Sequence, residues 1–163
     1  MKKINPQRIH VLKNITATSG AVIYWMSRDQ RIQDNWALLC AQELAIERKE
    51  PLVVVFCLVP TFLNASLRQF SFMIENLKEI EKGLQKLNIQ FFLLTGKPEK
   101  EIPILLKQIK AGALITDFDP LRIKKEWKKK LLRISIFLFM KLMRTILFLA
   151  ESPHKNANSA LTR

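Results

Sequence analysis

Two kinds of apolar pattern alternate along this chain. AVIYWM over Ala21–Met26 is a short, β-rich, unbroken apolar run that predicts a buried strand. Residues 51–58, PLVVVFCL, predict a second strand, apolar on both faces, as expected in a parallel sheet covered by helices on both sides. IQFFLLT at 89–95, ended by Gly96, and ALITDF at 113–118 predict a third and a fourth. Between them the period changes. Asp34 is read as the cap of a helix running to about Arg48, with Trp36, Leu39, Cys40 and Leu44 on one face. Ser66 opens a long helix in which Leu67, Phe70, Met73, Leu77, Ile80, Leu84 and Leu87 recur at steps of three and four, a core-facing stripe. Residues 99–109 are expected to be helical, with Pro103 in the first turn, and Pro120 to lead into a further helix through LRIKKEWKKKLL.

Four β–α units in succession predict an α/β fold, a doubly wound, mostly parallel sheet with flanking helices and right-handed crossovers. The expected organisation is an N-terminal extension at 1–20, an α/β domain at 21–132 and a distinct tail at 133–163. In such sheets ligands bind beyond the carboxyl ends of the strands. Here those ends carry Met26, Ser27 and Arg28, then Cys57 and Leu58, Thr95 and Gly96, and Asp117, Phe118 and Asp119. The glycines at 20, 83, 96 and 112 have neither phosphate-loop nor dinucleotide-fingerprint spacing, which argues against a dehydrogenase or a P-loop enzyme.

Composition changes the picture only at the edges. The 163 residues are 48% hydrophobic, enough for one domain with a core. Cys40 and Cys57 sit in apolar stretches and make no disulfide framework, so a reducing cytosol is the expected compartment. The N-terminus has no apolar run behind its charges and is not read as a signal peptide. His10 and His154 do not make a metal site. The net charge of +13 suggests nucleic acid, but residues 1–120 carry 16 basic against 12 acidic groups, and residues 121–163 carry 11 against 2. The excess is therefore assigned to the tail.

The most informative stretch is YWMSRDQRIQDNWALL at 24–39, which places Arg28, Asp29, Arg31, Asp34 and Asn35 directly between a strand and a helix. A plain structural account is available: Asp34 caps the helix while Asp29 and Arg31 pair on the surface. Exposed pairs are worth only about 0–1 kcal/mol, so stability alone does not call for so many charges at one strand end. The pattern resembles the photolyase and cryptochrome family, whose first strand is followed by an Arg-Asp-x-Arg-x-x-Asp-Asn signature. Its form here is similar to that of class-II cyclobutane-pyrimidine-dimer DNA photolyases. The likeness continues through FCLVPTFLNASLRQFSFM, IQFFLLTG and AGALITDFDPLRIKKEW, nearly without a gap from residue 5 to residue 127.

That resemblance implies the Rossmann-like amino-terminal domain of a two-domain flavoprotein. In the family this domain holds an antenna chromophore, a deazaflavin or a folate, and a larger helical domain binds FAD and the DNA lesion. Light-excited reduced FAD then donates the electron that splits the dimer. Matched position by position, Arg28 corresponds to a basic residue beside the antenna, Cys57 to the point where the second strand meets it, and Asp117 to an acidic residue after the fourth strand. Plain alternatives exist for each: an interdomain contact for Arg28, a small core residue for Cys57, a turn or cap for Asp117. No catalytic residue is expected, because the FAD domain is expected to lie outside this chain. The chain by itself is then expected to be inactive. Damaged DNA is a partner by resemblance only, and neither a membrane nor an oligomer is expected.

After Trp127 the likeness fades into SIFLFMKLMRTILFLA. Lys141 and Arg144 would each cost about 2.5–3.5 kcal/mol near a bilayer centre, which argues against a spanning helix. Shifting the back-translated frame by one base permits Asn-Ile-Pro-Val-Tyr-Glu-Val-Asp-Ala-His-Asn-Ile-Val-Pro-Cys over 135–150, which resembles the class-II continuation. The tail is therefore read as out of frame, and is expected to pack loosely against the domain. Two readings of other classes stand beside this one: a stand-alone small-molecule-binding α/β module, and a basic membrane- or nucleic-acid-associated protein.

Overall fold

A computed structural model of the chain describes residues 4–13, 19–134 and 138–142. Its centre is a six-stranded sheet: β1 (Ile9–Lys13), β2 (Ala21–Met26), β3 (Leu52–Leu58), β4 (Gln90–Thr95), β5 (Ala111–Asp117) and β6 (Leu138–Leu142), in the order β1-β6-β5-β2-β3-β4. Pairing is parallel from β6 across to β4, and β1 joins β6 antiparallel. The helices are α1 (Trp36–Arg48), α2 (Leu67–Lys86), α3 (Pro98–Gln108) and α4 (Arg122–Ile134).

Side-chain alternation sorts the core into two halves. Val22, Tyr24, Met26, Val54, Phe56 and Ile115 face α1 and α2, where Ala37, Leu38, Ala41, Leu77, Ile80 and Leu84 cover them. Ile23, Trp25, Val53, Val55 and Leu114 face the other way, onto Ile102, Leu105, Leu106, Trp127 and Leu131 of α3 and α4. Two-sided covering is why β2, β3 and β5 read as unbroken apolar runs. Burying Tyr24 and Trp25 on opposite faces places a large aromatic at the centre of each half.

Several local expectations are corrected. Asn35, not Asp34, caps α1, its side chain accepting from the Leu38 N–H. Asp34 sits in a left-handed turn at φ 50°, so the extended cap position falls to the next residue. Leu39 is 39% exposed, and the covered face of α1 is Ala37, Leu38, Cys40, Ala41 and Ala45. Ser66 does open α2, through a reciprocal capping box with Gln69. Of its apolar stripe only Leu77, Ile80 and Leu84 are buried, whereas Leu67 is 82% and Leu87 57% exposed. Pro98 takes the first turn of α3 and Pro103 lies one turn further in.

The larger correction concerns the two ends. The N-terminal extension supplies a strand, β1, and the tail supplies another, β6, seated between β1 and β5 with Met140 buried. Loose packing of the tail is therefore wrong for residues 138–142. An open parallel edge on β5 offers a full row of backbone partners, and any short apolar segment can satisfy them. The remaining tail residues, 135–137 and 143–163, lie outside the described residues.

Candidate functional site

Strand order reverses at β2, which runs on to β3 and β4 on one side and meets β5 on the other. The carboxyl end of β2 is thus where a doubly wound sheet opens a crevice. On the β5 side that crevice is filled by the Asp117 carboxylate. Its Oδ1 accepts from the Tyr24 hydroxyl at 2.8 Å, and its Oδ2 from the backbone N–H groups of Ser27 (2.9 Å), Arg28 (2.8 Å) and Asp29 (3.3 Å). Asn35 completes the network, its Nδ2 lying 2.9 Å from the Tyr24 hydroxyl and from the carbonyls of Asp29 and Arg31. Arg31 donates to the Asp34 carbonyl at 2.9 Å, and Asn76 of α2 donates to the Gln30 carbonyl at 3.1 Å.

The charged stretch after β2 is accordingly a loop folded over one buried carboxylate. Asp29 and Arg31 form no ion pair among the described residues. Burial raises the Asp117 carboxyl above its ordinary value, against the opposing pull of the Arg28 and Ser27 N–H groups and the Tyr24 hydroxyl. Burial also raises the Tyr24 phenol well above its usual range, so it remains a donor to that carboxylate.

The open space lies on the other side, over the ends of β2 and β3. A cleft of about 350 Å³ runs there, walled by Trp25, Phe56, Cys57, Phe62, Phe70 and Trp127, with Ser27 and Lys124 among its polar lining. It is mostly apolar with few polar groups, the usual make-up of a small-molecule site, and its volume is at the lower end of that range. The Ser27 hydroxyl is buried and has no hydrogen-bond partner among the described residues. The Lys124 ammonium donates to the Ser27 carbonyl at 2.7 Å and pairs with Asp119 at 2.8 Å. Cys57 donates to the Gly96 carbonyl at 3.3 Å, and burial, then the charges of Glu101 and Glu99, push its thiol up to about 12.

The three residues singled out from sequence share one edge of the sheet but not one face. Cys57 lines the cleft on the α3/α4 side. Asp117 points to the opposite face, bonded to Tyr24, and does not line the cleft. Arg28 is exposed, tied to Asp117 through its backbone and not among the lining residues. A strand period of two fixes that separation, since Cys57 continues the row Val53 and Val55 while Asp117 continues Ala113 and Ile115. Sequence reasoning placed Ser27 at a strand end without singling it out, and missed Lys124 and Trp127 as cleft residues. Ser27 follows β2 directly and carried a signal by position; Lys124 and Trp127 reach the cleft only through the docking of α4.

FAD does not fit this cleft. The only cation lining it among the described residues, Lys124, is already neutralised by Asp119, and the sequence has no glycine-rich loop to hold a pyrophosphate.

The deoxyribodipyrimidine photo-lyase of Potorous tridactylus is 43% identical over 130 residues, covering 78% of this chain and 24% of that protein. The enzyme of the same name from Arabidopsis thaliana is 44% identical over 124 residues, covering 73% and 25%. The chain thus spans about a quarter of the length of these curated relatives. A Synechocystis cryptochrome crystal structure superposes with a TM-score of 0.60 at 20% identity, over 79% of this chain and 28% of that one, which supports the fold. The DNA photolyase family profile matches residues 22–135, more than half of the sequence, and the chain belongs to that family.

Proposed function

We propose that this chain is the light-collecting amino-terminal domain of a class-II cyclobutane-pyrimidine-dimer photolyase, and that its cleft holds one planar antenna pigment, a deazaflavin or a folate. The observation that carries this reading is the aromatic cleft at the strand ends with the buried, unpartnered Ser27 hydroxyl, inside the segment that matches the family. When bound, such a pigment absorbs near-ultraviolet or blue light and passes the excitation on. Cys57 contributes a wall and Ser27 a hydrogen bond. Asp117 acts from behind by fixing the backbone that presents Ser27, and Arg28 lies beside it at the exposed rim.

On this reading the whole enzyme repairs dimers in DNA with FAD bound outside the segment described here, in the cytosol. The chain by itself is expected to bind no FAD and to give no light-dependent reversal of thymine dimers, since cofactor chemistry needs a pocket that positions donor and lesion together. We further propose that the frame is lost at residue 135, where the family match ends, so that the sequence from there to 163 is read out of frame. Downstream DNA read in all three frames would test that.

The pigment test is reconstitution with 8-hydroxy-5-deazaflavin and, separately, methenyltetrahydrofolate, followed by absorbance and fluorescence. One of them is expected to bind stoichiometrically. Ser27→Ala is expected to weaken binding roughly tenfold, the worth of one hydrogen bond. Failure of both pigments to bind, with the protein folded, would remove the antenna assignment.

A further inference from the structure

We propose that α4 carries a binding surface for the phosphate backbone of double-helical DNA, formed by Arg122, Lys125, Lys129 and Arg133. These four recur at steps of three, four and four, which sets them along one line of the helix. All four are exposed, and none of their side chains makes an ion pair or a hydrogen bond among the described residues. By the helical rise the line is about 16 Å long. The opposite side of α4 is occupied: Ile123, Trp127 and Leu131 pack on the sheet, Lys124 holds Asp119, and Lys130 pairs with Glu99 of α3 at 3.2 Å.

The charge bookkeeping of the sequence changes with this placement. Of the 11 basic and 2 acidic residues after position 120, α4 alone contains 7 and 1, so the excess belongs mostly to a folded helix within the family match. Stability does not account for the stripe. Like charges at three- and four-residue spacing destabilise a helix, and cations in a first turn that holds no acid oppose its dipole. Such a line is favourable only against a polyanion.

Among polyanions the surface favours nucleic acid over a lipid bilayer. A helix that settles at a membrane surface buries an apolar face there, and over residues 122–133 the exposed residues of α4 are Arg122, Lys125, Glu126, Lys129, Lys130 and Arg133, none of them apolar. Phosphodiester charges in regular array match a rigid row of cations and need no insertion. The choice of DNA among nucleic acids rests on the proposed function. The contact carries no base-edge readout, so it positions the domain on a duplex and does not select sequence.

The test uses the full chain and an undamaged 20-base-pair fluorescent duplex, in the dark and without pigment, with anisotropy followed from 50 to 200 mM salt. Four phosphate contacts predict an affinity falling on the order of a hundredfold over that range. The variant Arg122→Gln, Lys125→Gln, Lys129→Gln, Arg133→Gln is expected to lose most of that slope. A control with the same net charge, Arg68→Gln, Lys78→Gln, Lys82→Gln, Lys86→Gln on α2, is expected to keep it. Should the α4 variant misfold by circular dichroism, protection of Lys125 and Lys129 from acetylation by bound duplex in the unaltered chain gives the same answer. Equal loss in both variants, no duplex binding at 50 mM salt, absence of protection, or binding to phosphatidylserine vesicles in place of duplex would each overturn the proposal. Failure here leaves the cleft reading untouched, because no pigment or lesion enters the measurement.

Discussion

The Tyr24 hydroxyl and the Asp117 Oδ1 lie 2.8 Å apart across the neighbouring strands β2 and β5, both side chains almost wholly buried. Replacing Asp117 by Asn exchanges one acceptor for a donor facing other donors, and is expected to cost about 1–3 kcal/mol. The pH dependence has a definite sign. Burial places the folded carboxyl above its unfolded value, so the folded state holds the proton more tightly. The stability tied to this group is full below the ordinary carboxylate range and is lost as pH rises through the raised value. Urea midpoints between about pH 4 and 8 should therefore show wild type and Asp117→Asn converging as pH increases. A gap that widens with pH would contradict this.

Asn35 is fully buried and serves two elements, capping α1 and donating to Tyr24 and the loop carbonyls. Asn35→Ala is expected to cost about 2–4 kcal/mol, the lost cap plus the abandoned acceptors. Asn35→Asp keeps the cap but cannot donate, and brings a second carboxylate toward Asp117. Chemical denaturation should find it no better than alanine; near-wild-type stability would show that the cap alone matters.

What the sequence made legible, and what it did not, divides along physical lines. Strands buried on both faces announce themselves by unbroken apolarity, which is why β2, β3 and β5 could be read directly. The signature after β2 was visible as a cluster of charges, but its purpose was not. Its members serve one carboxylate 88 to 90 residues away, and spacing does not encode a contact of that range. β1 escaped because five residues with a charge at one end and a histidine inside look like any extended leader. β6 escaped because its pairing is set by the open edge of β5 more than by its own pattern. The placement of Cys57 and Asp117 on opposite faces follows from strand parity once the strands are known, and could have been counted.

Both thiols are expected to be inert in the folded protein. Burial pushes Cys40 up to about 11 and Cys57 to about 12, so little thiolate exists near neutrality. Modification by Ellman's reagent at about pH 8 should be slower than that of a free thiol by a factor on the order of a hundred or more, and should become fast on unfolding. Rapid reaction of one thiol in native buffer would show that its site opens.

The β1–β6 pair gives a test at the sheet edge. Ending the chain after Ile134 removes β6 and with it the strand partner of β1, and the urea midpoint is expected to fall clearly. Met140→Ala should reproduce part of the effect, about 2–4 kcal/mol for a buried methionine. An unchanged midpoint for both would mean that the edge contributes nothing to the domain.

That same pair sets an order of events during synthesis. Ile9 partners Leu142, so β1 leaves the ribosome long before its hydrogen-bonding neighbour is made. At about 5–20 residues per second the interval is roughly 7–27 s. Throughout that time β2, β3, β4 and β5 can pair with one another, while β1 waits with an unsatisfied edge. Among the described strands, β1 is thus locked only after the four central ones have paired. Any ribosome that stalls or terminates before residue 138 releases a domain with both the β1 strand and the flank of β5 open to a neighbouring chain.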